Sequence, residues 1–336
     1  NPMVSLGVPE PGAGGDQGAD AHTEGLADRE REKEYFEGRE GYDEDFLAEK
    51  VPWPTFPEGK FALAKPSDGT DERPHELRYQ HFGVMYCAQE KSSVVTAVNI
   101  DGEQSRKLKR TRDRWYFDMR IDRDIQIGKQ DYSNVGCDRG HLVKREDPNW
   151  GDAATVKLAN YDTFHYPNAA PQHSGLNRSR AQWLGLEEHI IESARTHDFR
   201  ATVFTGPIIN DSTVYEDGVT IPLEFWKVVV MMTIDDDDAS ADPTLRLHAT
   251  AYLLSQGQLI HSMLSNRNRN ESVEGFKFGE YRTFQISIAD LEAATEYDFG
   301  ELRDADPLRA AVRESPFFEA NAPVYRALDD YEQIVL

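Results

Sequence analysis

The tetrapeptide DRGH, residues 138–141, brings together side chains that can do acid–base chemistry on a charged substrate. An unperturbed histidine has a pKa of about 6.5, so a neutral imidazole at His141 could accept a proton near neutral pH. Arg139, two positions earlier, carries a permanent charge that suits a phosphate. Lys144 and Arg145 follow at once. Such a run indicates either a solvated turn or a site for something negatively charged.

A phosphodiester is one anionic substrate that this combination suits. Its hydrolysis needs a base for the attacking water and builds negative charge on the transition state and on the leaving oxygen. Histidine can supply the base, while arginine and a divalent cation held by oxygen ligands can offset the charge. If DRGH lies at a strand end, a kink at Gly140 could turn Arg139 and His141 toward one cleft, with Asp138 orienting a neighbour.

Length and charge restrict the class of protein. The chain has 336 residues, enough for one large domain with appendages or for two ordinary ones. Its formal net charge of -23 on its own argues against nucleic acid as a partner, because a polyanionic surface repels phosphates. Residues 104–120 nevertheless hold seven Lys and Arg, so this segment is either an exposed hairpin or a surface that follows phosphates beside a cleft.

Composition also divides the chain into three parts. Residues 1–40 predict an acidic, partly disordered arm, although residues 27–40 have a helical composition. Residues 1–50 carry fourteen Asp and Glu against five Lys and Arg. Residues 41–76, rich in proline after Val51, predict an extended lead-in. Residues 77–336 predict the main domain.

Hydrophobic patterns predict more strands than helices. Strand-like runs cover residues 77–89, 92–102, 202–209, 225–234 and 245–255. The last two predict a hairpin around the acidic loop that contains residues 235–238. The strongest helical pattern covers residues 179–197, and shorter ones cover 288–295 and 306–315. Because no βαβ alternation appears, the sequence predicts an α+β domain with an antiparallel sheet.

Several other features favour ordinary explanations. Cys87 and Cys137 are more consistent with two buried thiols than with one disulfide. His165, His173 and His189 match no zinc spacing, and the aspartates of residues 235–238 favour a solvated loop tip over a calcium site. No apolar run is long enough to span a membrane, and no secretory signal stands out, so cytoplasmic residence is the default expectation.

Two stretches together resemble the DNA/RNA non-specific endonucleases of the ββα-metal (His-Me finger) class. Members carry DRGH on a strand, then a loop of approximate pattern D-T-F-x-x-x-N-x-x-P-Q, then an Asn that opens a helix with W-x-x-L-E. Beyond DRGH, this chain matches at Asp162-Thr163-Phe164, Asn168, Pro171-Gln172, Asn177, Trp183 and Leu186-Glu187. The similarity covers residues 41 to 306. It implies a ββα-metal nuclease fold with a central antiparallel sheet flanked by helices.

The resemblance implies a role for each matched residue. His141 would be the general base that activates water, Arg139 would contact phosphate or stabilise the transition state, and Asn168 would help to position the site. Asn177 would be the one direct protein ligand of a catalytic Mg²⁺, for which Mn²⁺ could substitute. Glu187 would hold the cation through water. A single amide oxygen suits Mg²⁺, because this cation keeps several waters.

Two assignments within that set stay open. Asn177 and Glu187 are ten positions apart, whereas compact members of the family place the pair eight apart. Glu188 therefore competes with Glu187 for the acidic role. Asn177 would also suit a plain helix N-cap.

The phosphate contacts stay open as well. The family uses an arginine before a W-x-x-D segment, and TRDRWYFD offers Arg112 or Arg114, of which we prefer Arg114. With Lys144 and Arg145, these arginines are the candidate substrate contacts. No motif that reads bases is present, so we expect no sequence specificity.

The sequence therefore predicts a Mg²⁺-dependent, sugar-non-specific endonuclease that hydrolyses DNA and RNA. The alternative is a catalytically silent nucleic-acid-binding or interaction protein that keeps the nuclease fold. The acidic arm could occupy the cationic cleft as a phosphate mimic or dock a regulatory partner, and a homodimer is open because relatives commonly oligomerise.

Overall fold

The strands and helices follow the apolar runs of the sequence. The computed structural model describes residues 29–109, 113–177, 183–197, 199–234, 244–257, 260, 282–308 and 325–328. The strands are β1 (Arg29–Arg31), β2 (Glu76–Tyr79), β3 (Phe82–Cys87), β4 (Ser92–Asp101), β5 (Tyr116–Asp118), β6 (Asp138–His141), β7 (Ala169–Gln172), β8 (Arg200–Pro207), β9 (Val214–Glu216), β10 (Val219–Ile221), β11 (Glu224–Ile234), β12 (Leu245–Ser255), β13 (Arg282–Ile286) and β14 (Tyr325–Leu328). The α-helices are α1 (Lys129–Val135), α2 (Ala153–Asp162), α3 (Ser174–Asn177), α4 (Trp183–His197) and α5 (Ile288–Thr295). Short 3-10 helices lie at Lys33–Phe36, Arg123–Ile125, Tyr166–Asn168 and Gly300–Arg303.

An antiparallel sheet of eight strands is the largest element. Its order is β14-β13-β12-β11-β8-β4-β3-β2, and β11 pairs with β12 along their whole length, from Glu224↔Ser255 to Ile234↔Leu245. All ten residues of β4 are buried, because this strand lies inside the sheet and both of its faces are covered. The predicted antiparallel sheet and the β11–β12 hairpin are thus confirmed, together with a mixed α/β composition that has few helices.

The two faces of the sheet carry separate cores. On one face, α4 and the β6–β7 pair contribute Leu142, Ala170, Leu186 and Ile191 to the apolar cluster. On the other face, α5 and residues 42–51 pack around Trp226. A third, smaller cluster joins β5, α1 and the 3-10 helix at Tyr166–Asn168. The β6–β7 pair therefore lies between two apolar cores, which fixes its position against the sheet.

Two local predictions differ from the structure, and a third is described only in part. Residues 77–89 form two strands that turn at His81, which adopts a φ of 67°. Residues 27–40 have a helical composition, yet the described part forms β1 and a 3-10 helix. Pairing of β1 with β5 and burial of Phe36 outweigh the intrinsic helix propensity there. Helix α4 is described from Trp183, while the predicted residues 179–182 lie outside the described residues.

Other predictions meet the structure as follows. Helix α5 matches residues 288–295, and most of 306–315 lies outside the described residues, as do residues 235–238. Cys87 and Cys137 are buried thiols, as predicted. Arg120, which belongs to the cationic segment of residues 104–120, is buried against Asp118 and so cannot reach a substrate. No helix in the described ranges is long and apolar enough to cross a membrane.

Candidate active site

The DRGH tetrapeptide is strand β6. It pairs antiparallel with β7, with Asp138 opposite Gln172 and His141 opposite Ala169. Side chains alternate along a strand, so Arg139 and His141 lie on one face of β6, while Asp138 lies on the other with Gly140. The regular period of the strand therefore places Arg139 and His141 on the same face.

Gly140 has a different role from the predicted kink. It lies inside the paired strand and has no left-handed φ. A Cβ atom built on Gly140 would overlap the side chain of Gln172, which is 1% exposed. The kink prediction is therefore wrong. Glycine is needed at this position because the Gln172 side chain lies directly against the backbone of β6.

Aromatic rings surround the imidazole of His141. Its ring centroid is 4.7 Å from that of Trp115 and 4.9 Å from that of Phe164, which meets it edge to face at 87°. The guanidinium carbon of Arg139 lies 5.7 Å from the Trp115 ring. Trp115 and Phe164 are both buried, whereas His141 and Arg139 are half-buried. The rings limit the rotation of the imidazole.

Asn168 fixes the residues that follow His141. Its Oδ1 accepts a hydrogen bond from the Val143 amide at 2.9 Å, and its Nδ2 donates to the Val143 carbonyl at 3.0 Å. The same Nδ2 donates to the carbonyl of Thr163 at 3.0 Å, and the Asn168 carbonyl accepts from the Leu142 amide. Because Asn168 is fully buried, all these bonds are shielded from water. Its contacts are with backbone, which fits the predicted positioning role.

A buried lysine links β6 to the helix that carries Glu187. Lys227, on β11, is 1% exposed, and its Nζ donates to the Leu142 carbonyl at 3.2 Å and to the Thr205 hydroxyl at 2.9 Å. The same Nζ lies 3.2 Å from Oε1 of Glu187, a side chain that is itself buried. A buried ion pair needs both of its partners, because removal of one leaves an unpaired charge in the interior. Lys227 therefore holds Glu187 in register with the residue after His141.

A second buried carboxyl group lies in the same region. Burial raises the pKa of Asp147 to about 7, and the negative charge of Glu187 acts in the same direction. Lys227 and Lys144 oppose this shift through their positive charges. The interior beside β6 is therefore a network of charges, with both lysines placed to balance the two carboxyl groups.

The remaining predicted metal ligand is located by its backbone. The backbone of Asn177 lies in α3, and its side chain is outside the described part of the chain. Helix α3 contacts both β6, which carries His141, and α4, which carries Glu187. The fold thus brings together the three elements on which the predicted base and metal ligands stand.

The four predicted substrate contacts differ in their exposure and in their partners. Arg112 lies outside the described residues, and Arg114 is exposed immediately before Trp115. Lys144 is half-buried. Arg145 donates to Oε1 of Glu146 at 2.8 Å, so its guanidinium is engaged within the protein. The exposed Arg114 is therefore the better placed of the described arginines for a substrate beside His141.

The available donors suit a hard cation that keeps most of its water. No group of three or more His, Cys, Asp and Glu side chains that could hold a metal ion occurs among the described residues. His165 is buried and bonds the Asp162 carbonyl through Nδ1. The carboxylate of Glu187 and the carboxamide of Asn177 are oxygen donors, which Mg²⁺ prefers, and a site with few protein ligands is typical of that ion. The donor chemistry therefore fits.

Three contributors to the site were not predicted as functional residues. Trp115 and Phe164 lie within quoted motifs, but only the fold shows that they flank His141. Lys227 had a sequence signal, because it is the one charged residue in the apolar run of residues 225–234. A lysine in such a run must find buried partners or leave the strand.

Comparison with known proteins shows that this chain is similar to nucleases. The chain belongs to the DNA/RNA non-specific endonuclease family, whose sequence model matches residues 59–306. It is 37% identical to the uncharacterized protein y4fB of Sinorhizobium fredii over 230 residues, which are 66% of this chain and 33% of the relative. It is 28% identical to human mitochondrial endonuclease G over 141 residues, 37% of this chain and 45% of the relative.

A solved structure is also similar at a lower level. The crystal structure of the EndoG/EndoGI complex matches with a TM-score of 0.45 and 19% identity, over 66% of this chain and 84% of the other. The chain spans only 33% to 45% of the length of the two curated relatives described above. Family membership is thus established by the sequence match.

Proposed function

We propose that this chain is a Mg²⁺-dependent, sugar-non-specific endonuclease of the ββα-metal type, which hydrolyses phosphodiester bonds of DNA and RNA at His141. The observation that carries the proposal is the shared face of β6, on which His141 and Arg139 lie against Trp115. A general base next to a positively charged side chain, here His141 next to Arg139, is the combination that phosphodiester hydrolysis requires. The hairpin β6–β7 with the helix α3 that follows it supports the ββα arrangement.

In the proposed mechanism, the neutral imidazole of His141 accepts a proton from the attacking water. The oxygen of that water forms a bond to phosphorus while the opposite phosphorus–oxygen bond breaks. Trp115 and Phe164 hold the imidazole in one orientation, so little reorganisation is needed during the step. Arg139 donates hydrogen bonds to a phosphate oxygen, where negative charge grows in the transition state.

The acidic and amide side chains complete the proposed site. Asn177, and Glu187 through water, would hold Mg²⁺, whose chemistry is to offset negative charge on the phosphate and on the leaving oxygen. Lys227 keeps Glu187 in place from behind. Asn168 keeps the backbone after His141 from moving.

Substrate binding is proposed to rest on phosphates and not on bases. Arg114 stands exposed beside Trp115, and Lys107 lies on the same cationic segment, where it pairs with Glu192 at 2.9 Å. Such contacts neutralise the backbone without reading sequence, so cleavage should weaken as salt rises.

The test is nicking of a supercoiled plasmid and of a structured RNA, each with Mg²⁺ or with EDTA. His141→Ala should lower the rate by at least about a hundredfold, the lower limit for loss of a general base, while DNA binding persists. His75→Ala is the matched control, because His75 bonds the Ala64 carbonyl away from β6. Full cleavage by His141→Ala would remove this residue from the mechanism, and binding without metal-dependent nicking would favour a silent nucleic-acid-binding protein.

A further inference from the structure

The segment before the family region contacts the candidate site. Residues 29–40, which we call the clamp, precede the part of the chain that matches the family, residues 59–306. Strand β1 of the clamp pairs in parallel with β5, from Arg29↔Tyr116 to Arg31↔Asp118. The Met119 amide donates to the Arg31 carbonyl at 2.9 Å, which extends the pairing. The clamp is thus bound along the strand that follows Trp115.

The middle of the clamp is an aromatic anchor. Phe36 is 2% exposed, and its ring centroid lies 5.0 Å from that of His165 and 5.7 Å from that of Tyr79. The guanidinium of the buried Arg120 covers the same ring at 3.7 Å. Burial of a phenyl ring removes apolar surface from water, which stabilises the docked state. The anchor therefore favours a clamp that stays docked on the loop that contains His165.

The end of the clamp supplies a charge to that loop. Arg39 donates from Nε to Oδ2 of Asp162 at 2.8 Å, with side chains that are 7% and 0% exposed. The Gln80 amide donates to the same oxygen at 2.9 Å. Asp162 ends α2 and begins the D-T-F motif. A carboxylate with no exposed surface depends on its cation, and this cation comes from outside the matched family region.

The loop that Asp162 begins is the one that shapes the surroundings of His141. Phe164 meets the His141 imidazole edge to face, and its carbonyl accepts from the Tyr116 amide at 3.0 Å. Asn168, four residues later, bonds the backbone of Val143. A shift of Asp162 would therefore displace both the Phe164 ring beside His141 and Asn168, which bonds the backbone of Val143.

We propose that Arg39 is a positioning residue of the nuclease site, which acts through its ion pair with Asp162 on the loop of residues 163–168. The proposal rests on the proposed function for its catalytic effect. Arg39 touches neither substrate nor the reacting atoms, so its removal should lower kcat and leave KM for DNA nearly unchanged. The loop should also lose rigidity, which can be measured without any catalysis.

The experiment uses full-length variants. Arg39→Met should lower kcat for plasmid nicking by about tenfold or more, because small displacements of catalytic groups are costly, with KM within about twofold. Amide hydrogen exchange in residues 163–168 should become about tenfold faster. Arg39→Lys, which keeps the charge, should lie between wild type and Arg39→Met. Lys33→Met, an exposed position in the same clamp, should match wild type in both measurements.

A double variant separates the ion pair from general damage to the fold. Arg39→Met combined with Asp162→Asn leaves no unpaired charge at position 162 and keeps an acceptor for the Gln80 amide, so both exchange and kcat should return most of the way to wild type. A double variant as impaired as the single one, or normal exchange in Arg39→Met, would overturn the proposal. If wild type does not nick plasmid, the proposed function fails, while hydrogen exchange still decides the role of Arg39.

Discussion

Replacement of Lys227 by methionine is the perturbation whose effect can be worked out furthest. Methionine fills the space of the lysine stem but removes the ammonium group. Two acceptors then lose their donor, the Leu142 carbonyl at 3.2 Å and the Thr205 hydroxyl at 2.9 Å. The Glu187 carboxylate also loses its ion-pair partner, which lies 3.2 Å away. The side chains of Lys227 and Glu187 are 1% and 9% exposed, so water cannot easily replace the lost partner.

The expected cost follows from the burial of the pair. Removal of one partner of a buried ion pair costs about 3 to 5 kcal/mol, and we expect Lys227→Met to lower the free energy of unfolding by about 3 kcal/mol because its packing is kept. For a chain of 336 residues that corresponds to a fall in Tm of roughly 4 °C. Adding Glu187→Gln should restore about 2 kcal/mol, because it removes the unpaired charge.

The assay is urea unfolding followed by tryptophan fluorescence, for wild type, both single variants and the double variant. Lys50→Met is the matched control. Its ammonium lies 3.0 Å from Glu44, but the two side chains are 60% and 26% exposed, so its loss should change the free energy of unfolding little. If Lys227→Met costs as little as Lys50→Met, or if the double variant shows no coupling, Lys227 does not hold Glu187 in place.

Three further predictions concern other parts of the molecule. Gly140→Ala must displace the Gln172 side chain, so it should cost about 1 to 3 kcal/mol in urea unfolding and slow nicking; an unchanged Tm would contradict the close contact. Burial raises the pKa of Glu76 to about 7, above an unfolded value of about 4.3, so its contribution to stability is present below about pH 4 and is lost as the pH rises to about 7. Between about pH 4 and pH 7, the free energy of unfolding of Glu76→Gln should therefore fall less than that of wild type. An equal fall in the two proteins would refute the raised pKa of Glu76. Residues 1–28 carry five Asp and Glu and no Lys or Arg, so their deletion should raise nicking at low salt and have less effect at high salt, whereas equal rates throughout would indicate a passive arm.

The sheet could be predicted because its strands have recognisable local patterns of apolar residues. The apolar runs of β11 and β12 flank an acidic loop, and such a pattern predicts a hairpin whatever surrounds it. The run of residues 77–89 was harder, since the turn at His81 has no glycine to mark it and relies on a left-handed histidine. The clamp was missed for another reason. Its composition favours helix, and only pairing with β5, far away in sequence, overrides that preference.

The candidate site was predictable in its residue types and not in its supports. The order of the two motifs, DRGH followed by the D-T-F loop, was enough to predict roles for His141 and Asn168. The strand period, which places Arg139 beside His141, could also have been inferred from the sequence. The contacts of Lys227 and Arg39 join segments that are 85 and 123 positions apart along the chain. No local pattern encodes such a distance, so these residues required the fold.

The central claim is that His141 and Asn177 act on one phosphate with a shared divalent cation. A crystal of the full chain soaked with Mn²⁺ tests it most directly, because the anomalous signal locates the ion without reference to activity. The account predicts one strong peak bound by the Asn177 side-chain oxygen, on the side of β6 that carries His141, with water between the ion and Glu187. A peak elsewhere in the molecule, in a protein that nicks plasmid with Mn²⁺, would contradict it.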